Sequence, residues 1–133
     1  MVNDYYGNYS ENQLSGIIVN TCYNIHVNLG PGLLESVYEE ILYFELAGQG
    51  LKVQRQQSIP VFWKGIKLKS GFRSDLIVES KVILEIKSVE TILPVHPKQL
   101  LTYLRLTGMK LGLLINFNEK LIKDGIIRVV NNL

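Results

Sequence analysis

The feature of this chain that most constrains its fold is the run of residues 81–89, in which apolar side chains surround one carboxylate and one ammonium. Successive side chains of an extended strand point to opposite faces, so Glu85 and Lys87 share one face and Ile86 points to the other. Both faces are otherwise largely apolar, which is typical of a strand buried inside a sheet. Two charges in such a strand lose much of their hydration and need a compensating partner, metal ion or substrate. The run therefore predicts a buried strand that carries a functional site.

Length and composition favour one globular domain over residues 1–133, with residues 1–9 as a loose N-terminal segment. No apolar run approaches the ~18–20 residues of a membrane helix, and the first residues do not resemble a signal peptide. The single cysteine, Cys22, excludes an internal disulfide and disfavours a cysteine-ligated zinc site. These patterns predict a cytoplasmic protein without a membrane partner.

Charge is distributed unevenly along the chain. Residues 1–51 contain six acids and no Lys or Arg, whereas residues 52–133 contain all 14 Lys and Arg against six acids, a net charge of +8. Such asymmetry suggests an anionic partner for the second part. The alternative is that a helical layer and a sheet layer differ in their surface chemistry, and the sequence favours neither interpretation.

Hydrophobic periodicity predicts the element order ααβββαββ, an α+β or mixed α/β domain. A capping box at Ser10–Gln13 opens the first helix. Gly30-Pro31-Gly32 separates the first helix from the second. The predicted elements are helices from residue 11 to 29, about 33 to 47 and about 97 to 106, and strands over 53–63, 66–78, 81–89, 111–117 and 126–130.

A hairpin between the second and third strands makes a testable geometric demand. Directly opposed residues of an antiparallel pair share a face, so Asp75 shares the face of Glu85 if the two are opposite one another. This register places Ser80 at the centre of a three-residue loop, residues 79–81. A two-residue loop would place Asp75 opposite Leu84, on the wrong face. The sequence therefore predicts a three-residue loop or a bulge.

In that register two carboxylates present hard oxygen ligands side by side, which suits Mg²⁺. The carbonyl of Ile86 is a candidate further ligand. Lys87 would lie beside a metal-bound water, where it could orient the water or stabilise charge on a phosphate. These are the parts that in-line attack on a phosphodiester requires.

The pattern resembles the motif of the PD-(D/E)XK nuclease superfamily, reading here Ser74-Asp75 and then Glu85-Ile86-Lys87, with serine in place of proline. The run Gly32-Leu33-Leu34-Glu35-Ser36-Val37-Tyr38 is similar to the signature of the GxxExxY protein family, which is assigned to that superfamily. The resemblance covers about residues 12–130. It implies a restriction-endonuclease-like core, in which helices flank a central mixed sheet and the site lies at one sheet edge.

The resemblance also implies roles for individual residues. It makes Asp75 and Glu85 metal ligands, Lys87 the catalytic lysine, and Glu35 a helical carboxylate that completes the metal shell. Gln99 and Tyr103 match a Gln-x3-Tyr element that lines the site in exonuclease-like members, and at i and i+4 they share a helix face. We therefore expect three acidic side chains from separate segments to meet around a shared cation.

A basic strand face is a candidate substrate contact. Lys67, Lys69, Arg73 and Asp75 have the same parity, so an undisturbed strand would lead three cations toward the metal ligand. A bulge at Gly71 would remove this argument, and an ordinary solvated strand face is an equally good interpretation.

The sequence thus predicts a Mg²⁺-dependent nuclease acting on nucleic acid, with DNA the favoured substrate and Mn²⁺ an effective substitute. Arg73 and Lys69 are the expected substrate-binding cations. The alternative is a catalytically silent nuclease-fold module that acts in nucleic-acid binding or protein assembly. Formation of a homodimer or a larger assembly is expected to supply additional recognition surface.

Overall fold

The computed structural model of the protein describes residues 8–133. The loose segment predicted at the N-terminus lies largely outside the described residues. Tyr9, its last residue, is half-buried against the hydrophobic core. Within the described part of the chain, no helix combines the length and apolar character needed to cross a membrane.

Two helices open the fold. Helix α1, Glu11–Leu29, begins with the predicted capping box, because the Gln13 amide donates to Ser10 Oγ at 3.1 Å and the Ser10 amide donates to Gln13 Oε1 at 2.9 Å. The chain then turns through Gly32, whose φ of 106° favours glycine. Helix α2, Glu35–Gly48, follows.

The remaining elements form one mixed sheet with a third helix. The strands are β1 Val53–Trp63, β2 Ile66–Val78, β3 Val82–Lys87, β4 Leu111–Asn116 and β5 Ile126–Val130, with helix α3 Val95–Thr107 between β3 and β4 and a 3₁₀ turn, Ile122–Gly125, before β5. The strands lie side by side in chain order. The β3–β4 pair is parallel and the others are antiparallel. The predicted α+β class and order ααβββαββ are confirmed, although α3 begins two residues earlier than predicted.

The register between β2 and β3 is the predicted one. Val78 pairs with Val82 and Leu76 pairs with Leu84, so three residues, 79–81, form the loop. Continuing this register places Asp75 opposite Glu85. The loop closes through left-handed conformations at Glu79 and Ser80, with φ values of 52° and 55°.

The two faces of the sheet pack against different helices. Leu84 and Ile86 of β3 belong to the core cluster formed with α1 and α2, whereas Ile83 belongs to the cluster formed with α3. This alternation confirms that β3 is buried on both faces. Glu85 and Lys87 therefore point toward the α3 side.

The β1–β2 hairpin departs from regular pairing near its end. Pro60 pairs with Gly71 but Phe62 pairs with Lys67, so residues 68–70 of β2 lie opposite the single residue Val61. This bulge interrupts the alternation between Lys67 and Arg73. The undisturbed strand that the basic-face interpretation required is therefore not present between Lys67 and Arg73.

Candidate active site

Asp75 and Glu85 lie side by side where β2 and β3 meet. Asp75 Oδ2 accepts a hydrogen bond from the backbone amide of Ile86 at 2.8 Å, which joins β2 to β3 beyond their last backbone pair, Leu76 with Leu84. Because Ile86 directly follows Glu85 in the chain, this hydrogen bond holds the carboxyl groups of Asp75 and Glu85 side by side. Ile86 thus contacts Asp75 through its N–H, while a metal-binding role of its carbonyl stays a prediction.

The electrostatics of Glu85 report this proximity. Burial, followed by the negative charge of Asp75 and a hydrogen bond to it, raises the pKa of Glu85 to about 9, and the ammonium of Lys87 partly opposes the shift. Glu85 Oε1 is buried and has no hydrogen-bond partner among residues 8–133. A buried oxygen of this kind is stabilised by a proton or a cation.

Lys87 ends β3, one side-chain repeat beyond Glu85 on the same face. Its backbone lies opposite Asn116 at the end of β4, and its carbonyl accepts from the amide of Phe117 at 2.9 Å. The neighbouring β4 strand therefore fixes the backbone of Lys87, whose ammonium acts on Glu85 through its charge.

Glu35 does not join the other two carboxylates. It is exposed at the start of α2, and it lines a shallow cavity of about 360 Å³ together with Asp75. No group of three His, Cys, Asp or Glu side chains that could hold a metal ion occurs in the described part of the chain. The reason is the layering: α2 packs on the sheet face opposite to Glu85, so its first residue reaches only the rim of the site.

The structure adds Glu39, which sequence reasoning did not select. Glu39 is buried and accepts from Arg55 Nε at 2.9 Å and from Gln56 Nε2 at 2.6 Å. The same Gln56 nitrogen lies 3.4 Å from Asp75 Oδ1. Gln56 therefore links the α2 carboxylate to the site. The i+4 spacing from Glu35 was the available signal for Glu39, but nothing local distinguishes Gln56 from its neighbouring glutamines.

Helix α3 brings Tyr103 over the site. Its ring stacks on Phe72 with centroids 3.7 Å apart and an interplanar angle of 8°. Burial raises the pKa of Tyr103, and the charges of Glu85 and Asp75 raise it further, so the phenol lies within electrostatic range of both carboxyl groups. Gln99, one turn earlier, is exposed in the first half of the helix. Its role in orienting substrate stays a prediction.

The predicted basic residues lie beside this stack rather than along one strand face. Lys69 and Arg73 are exposed and line, with Lys67 and Phe72, a cavity of about 420 Å³ between the hairpin strands. Although strand alternation does not align them, the bulge gathers the cations next to the ring that contacts Tyr103.

Tyr38 explains how the loop before α2 is held. Its hydroxyl donates to the carbonyl of Gly30 at 2.6 Å and accepts from the amide of Leu33 at 3.2 Å. Its ring stacks on Phe117, with centroids 4.5 Å apart. A buried tyrosine so bonded fixes the entry of the chain into α2, and hence the position of Glu35.

The fold and the site are those of a nuclease type of domain, with two carboxylates and a lysine on the inner strands β2 and β3 of a mixed sheet. The family model described as the PD-(D/E)XK nuclease superfamily matches residues 12–129. The chain therefore belongs to the PD-(D/E)XK nuclease superfamily, and its fold is restriction-endonuclease-like. Comparison with curated proteins gives no match, and comparison with solved structures gives none either.

The residues present fit a divalent cation. Mg²⁺ is bound in proteins through one or two carboxylates, with waters and substrate phosphates completing its octahedral shell. Asp75 and Glu85 supply that number of carboxylates, and Glu85 contributes a buried oxygen without a partner. Nucleases of this superfamily depend generally on a divalent metal.

Proposed function

We propose that this protein is a Mg²⁺-dependent nuclease that hydrolyses phosphodiester bonds of DNA, and that it belongs to the GxxExxY family within its superfamily. The observation that carries the proposal is the adjacency of Asp75 and Glu85 on one face, with Lys87 next along the same strand. The pKa of Glu85, raised to about 9 by burial and by Asp75, supports a pair prepared for a cation.

In this proposal Asp75 and Glu85 hold the metal ion, with Glu35 contributing from the rim through water. When bound, the cation polarises the attacking water and the phosphate oxygens. Lys87 orients that water and stabilises the negative charge that develops on the phosphate. Gln99 and Tyr103 position the substrate from α3, and Arg73 and Lys69 hold its backbone.

The test is cleavage of DNA by the purified protein with Mg²⁺ or Mn²⁺. We expect Lys87→Ala to lower the cleavage rate by about 100-fold or more, since it removes charge stabilisation made in the transition state, while the fold and binding are retained. Lys110→Ala is the matched control, because Lys110 is exposed and precedes β4 at the opposite end of the sheet. Equal rates for wild type and Lys87→Ala on every DNA and RNA form would contradict the proposal.

The absence of a third carboxylate beside the pair, among the residues that the structure describes, favours one rival. This rival is a nuclease-fold module that binds nucleic acid or assembles with protein without catalysis. Calorimetric titration with Mn²⁺ separates the two. Binding that is lost in Asp75→Ala supports the enzyme, whereas no binding to wild type supports the module.

A further inference from the structure

The end of the β1–β2 hairpin exposes large apolar side chains that the core does not use. Phe62, Trp63 and Ile66 are 56%, 66% and 65% exposed. Trp63 lies opposite Ile66 on one face of the hairpin, and Phe62 lies opposite Lys67 on the other face. Lys64 and Gly65 form the turn with positive φ values of 49° and 80°, which is the hairpin turn favoured by strand twist. Exposed apolar clusters of this kind mark interaction sites.

The charge around this cluster is of one sign. No Asp or Glu occurs between Glu45 and Asp75, a stretch that contains six cations: Lys52, Arg55, Lys64, Lys67, Lys69 and Arg73. Lys64 Nζ lies 5.9 Å from the centroid of the Trp63 ring. A hairpin end that exposes one aromatic ring on each face among cations is complementary to a polyanion that carries flat apolar groups.

The hairpin also connects to the candidate active site. The cavity lined by Lys67, Lys69 and Arg73 borders Phe72, and Phe72 stacks on Tyr103, whose phenol is within electrostatic range of the carboxylate pair. Cations therefore continue from the exposed aromatic end of the hairpin toward Asp75 and Glu85.

We propose that the hairpin end binds single-stranded nucleic acid, with Trp63 stacking on an unpaired base at one face of the hairpin, Phe62 stacking on a base at the other face, and the lysines holding the phosphates. This inference rests on the proposed function and specifies its substrate as a single strand or an unpaired end. Bases inside a duplex are stacked on one another and present no free face to a ring, whereas every unpaired base does. A second copy of this hairpin is disfavoured as the partner, because it would place the cations of one copy against those of the other.

Trp63 is the single tryptophan of the chain, so its fluorescence reports this position directly. The wild-type protein is titrated with oligothymidylate in EDTA, where no cleavage occurs. We expect saturable quenching of Trp63 by the single strand, and weak quenching by a blunt duplex or by an abasic oligonucleotide of equal length. Because no metal is present, binding is measured independently of the proposed nuclease activity.

Variants test the two parts of the interaction. Trp63→Ala and Phe62→Ala should each weaken binding of a labelled oligothymidylate about tenfold, measured by fluorescence anisotropy. Phe44→Ala is the control, since Phe44 is 73% exposed on α2. Lys67→Gln and Lys69→Gln should each reduce the slope of log affinity against log salt by about 0.7.

Three results would overturn the proposal. Unchanged fluorescence with every oligonucleotide would show that the rings do not meet bases. A shift of Trp63 emission on concentrating the protein alone, with a dimer in sedimentation, would assign the hairpin to a contact between copies. A shift with anionic vesicles but not with oligonucleotides would assign it to a lipid surface.

Discussion

Glu85 carries a carboxyl group in a place where water does not fully hydrate it. Its strand is buried on both faces, and its nearest charged neighbour on β2 has the same sign. The cost of ionisation falls on the folded state, since the unfolded chain hydrates the group freely. This one residue therefore links proton binding, metal binding and stability.

We expect the stability of the metal-free protein to fall as pH rises through the range set by Glu85. Its pKa is raised from 4.5 to about 9 on folding, so its contribution is complete below pH 4.5 and lost by about pH 9. Glu85→Gln does not titrate, so its melting temperature should exceed that of wild type by more at pH 8.5 than at pH 5.

Glu90→Gln makes the same chemical change at an exposed position and is the control. Mg²⁺ at pH 8.5 should stabilise wild type and not Glu85→Gln, because a cation favours the ionised carboxylate. A melting temperature of Glu85→Gln that parallels that of wild type at both pH values would contradict the burial argument.

Glu39 joins α2 to β1 through Arg55 and Gln56, and Glu40, its neighbour on α2, provides a matched comparison. Glu39→Ala leaves Arg55 and Gln56 without their partner and should lower the free energy of unfolding by about 1–3 kcal/mol. Since Gln56 also approaches Asp75, Mn²⁺ affinity should fall too. Glu40→Ala, at an exposed position, should change neither quantity. Calorimetry measures the Mn²⁺ affinity and denaturant unfolding measures the stability. Equal Mn²⁺ affinities of Glu39→Ala and wild type would show that Glu39 acts on stability alone.

At the scale of elements, local pattern was a good guide where an element is defined by its own residues. The capping box at Ser10 and Gln13 could be predicted from the sequence because both partners lie within one helical turn. The length of the loop 79–81 could be predicted because the alternation of strand side chains permits few registers between β2 and β3. The bulge opposite Val61 was anticipated in part, since Gly71 suggested an irregularity in this strand, but Gly71 itself pairs with Pro60 and the extra residues are 68–70, just before it.

The loop before α2 depends on one hydroxyl. Tyr38→Phe removes the hydrogen bond that the hydroxyl donates to the Gly30 carbonyl and the one that it accepts from the Leu33 amide. The loss should lower the free energy of unfolding by about 1–2 kcal/mol. Tyr23→Phe, on exposed α1 surface, is the control. Denaturant unfolding of the two variants measures the difference, and equal stabilities would mean that the Tyr38 hydroxyl contributes nothing.

At the scale of the molecule, the sheet separates two hydrophobic clusters, and Cys22 reports on the one formed with α1 and α2. Its side chain is fully buried, and burial raises the pKa of its thiol. We expect an aromatic disulfide reagent to label native protein orders of magnitude more slowly than an exposed thiol, and to label one thiol per chain in denaturant. Cys22→Ala gives the background, and rapid labelling of the native protein would show that α1 opens locally.

The sequence by itself determined the elements, the two-sided burial of β3 and the face shared by Asp75, Glu85 and Lys87. These follow from periods of 2.0 and 3.6 residues, which belong to the chain before it folds. Only the tertiary structure decided that Glu39 rather than Glu35 is buried against β1, and that Phe72 meets Tyr103. Such contacts join residues far apart in sequence, so they depend on how helices and sheet pack rather than on any local pattern.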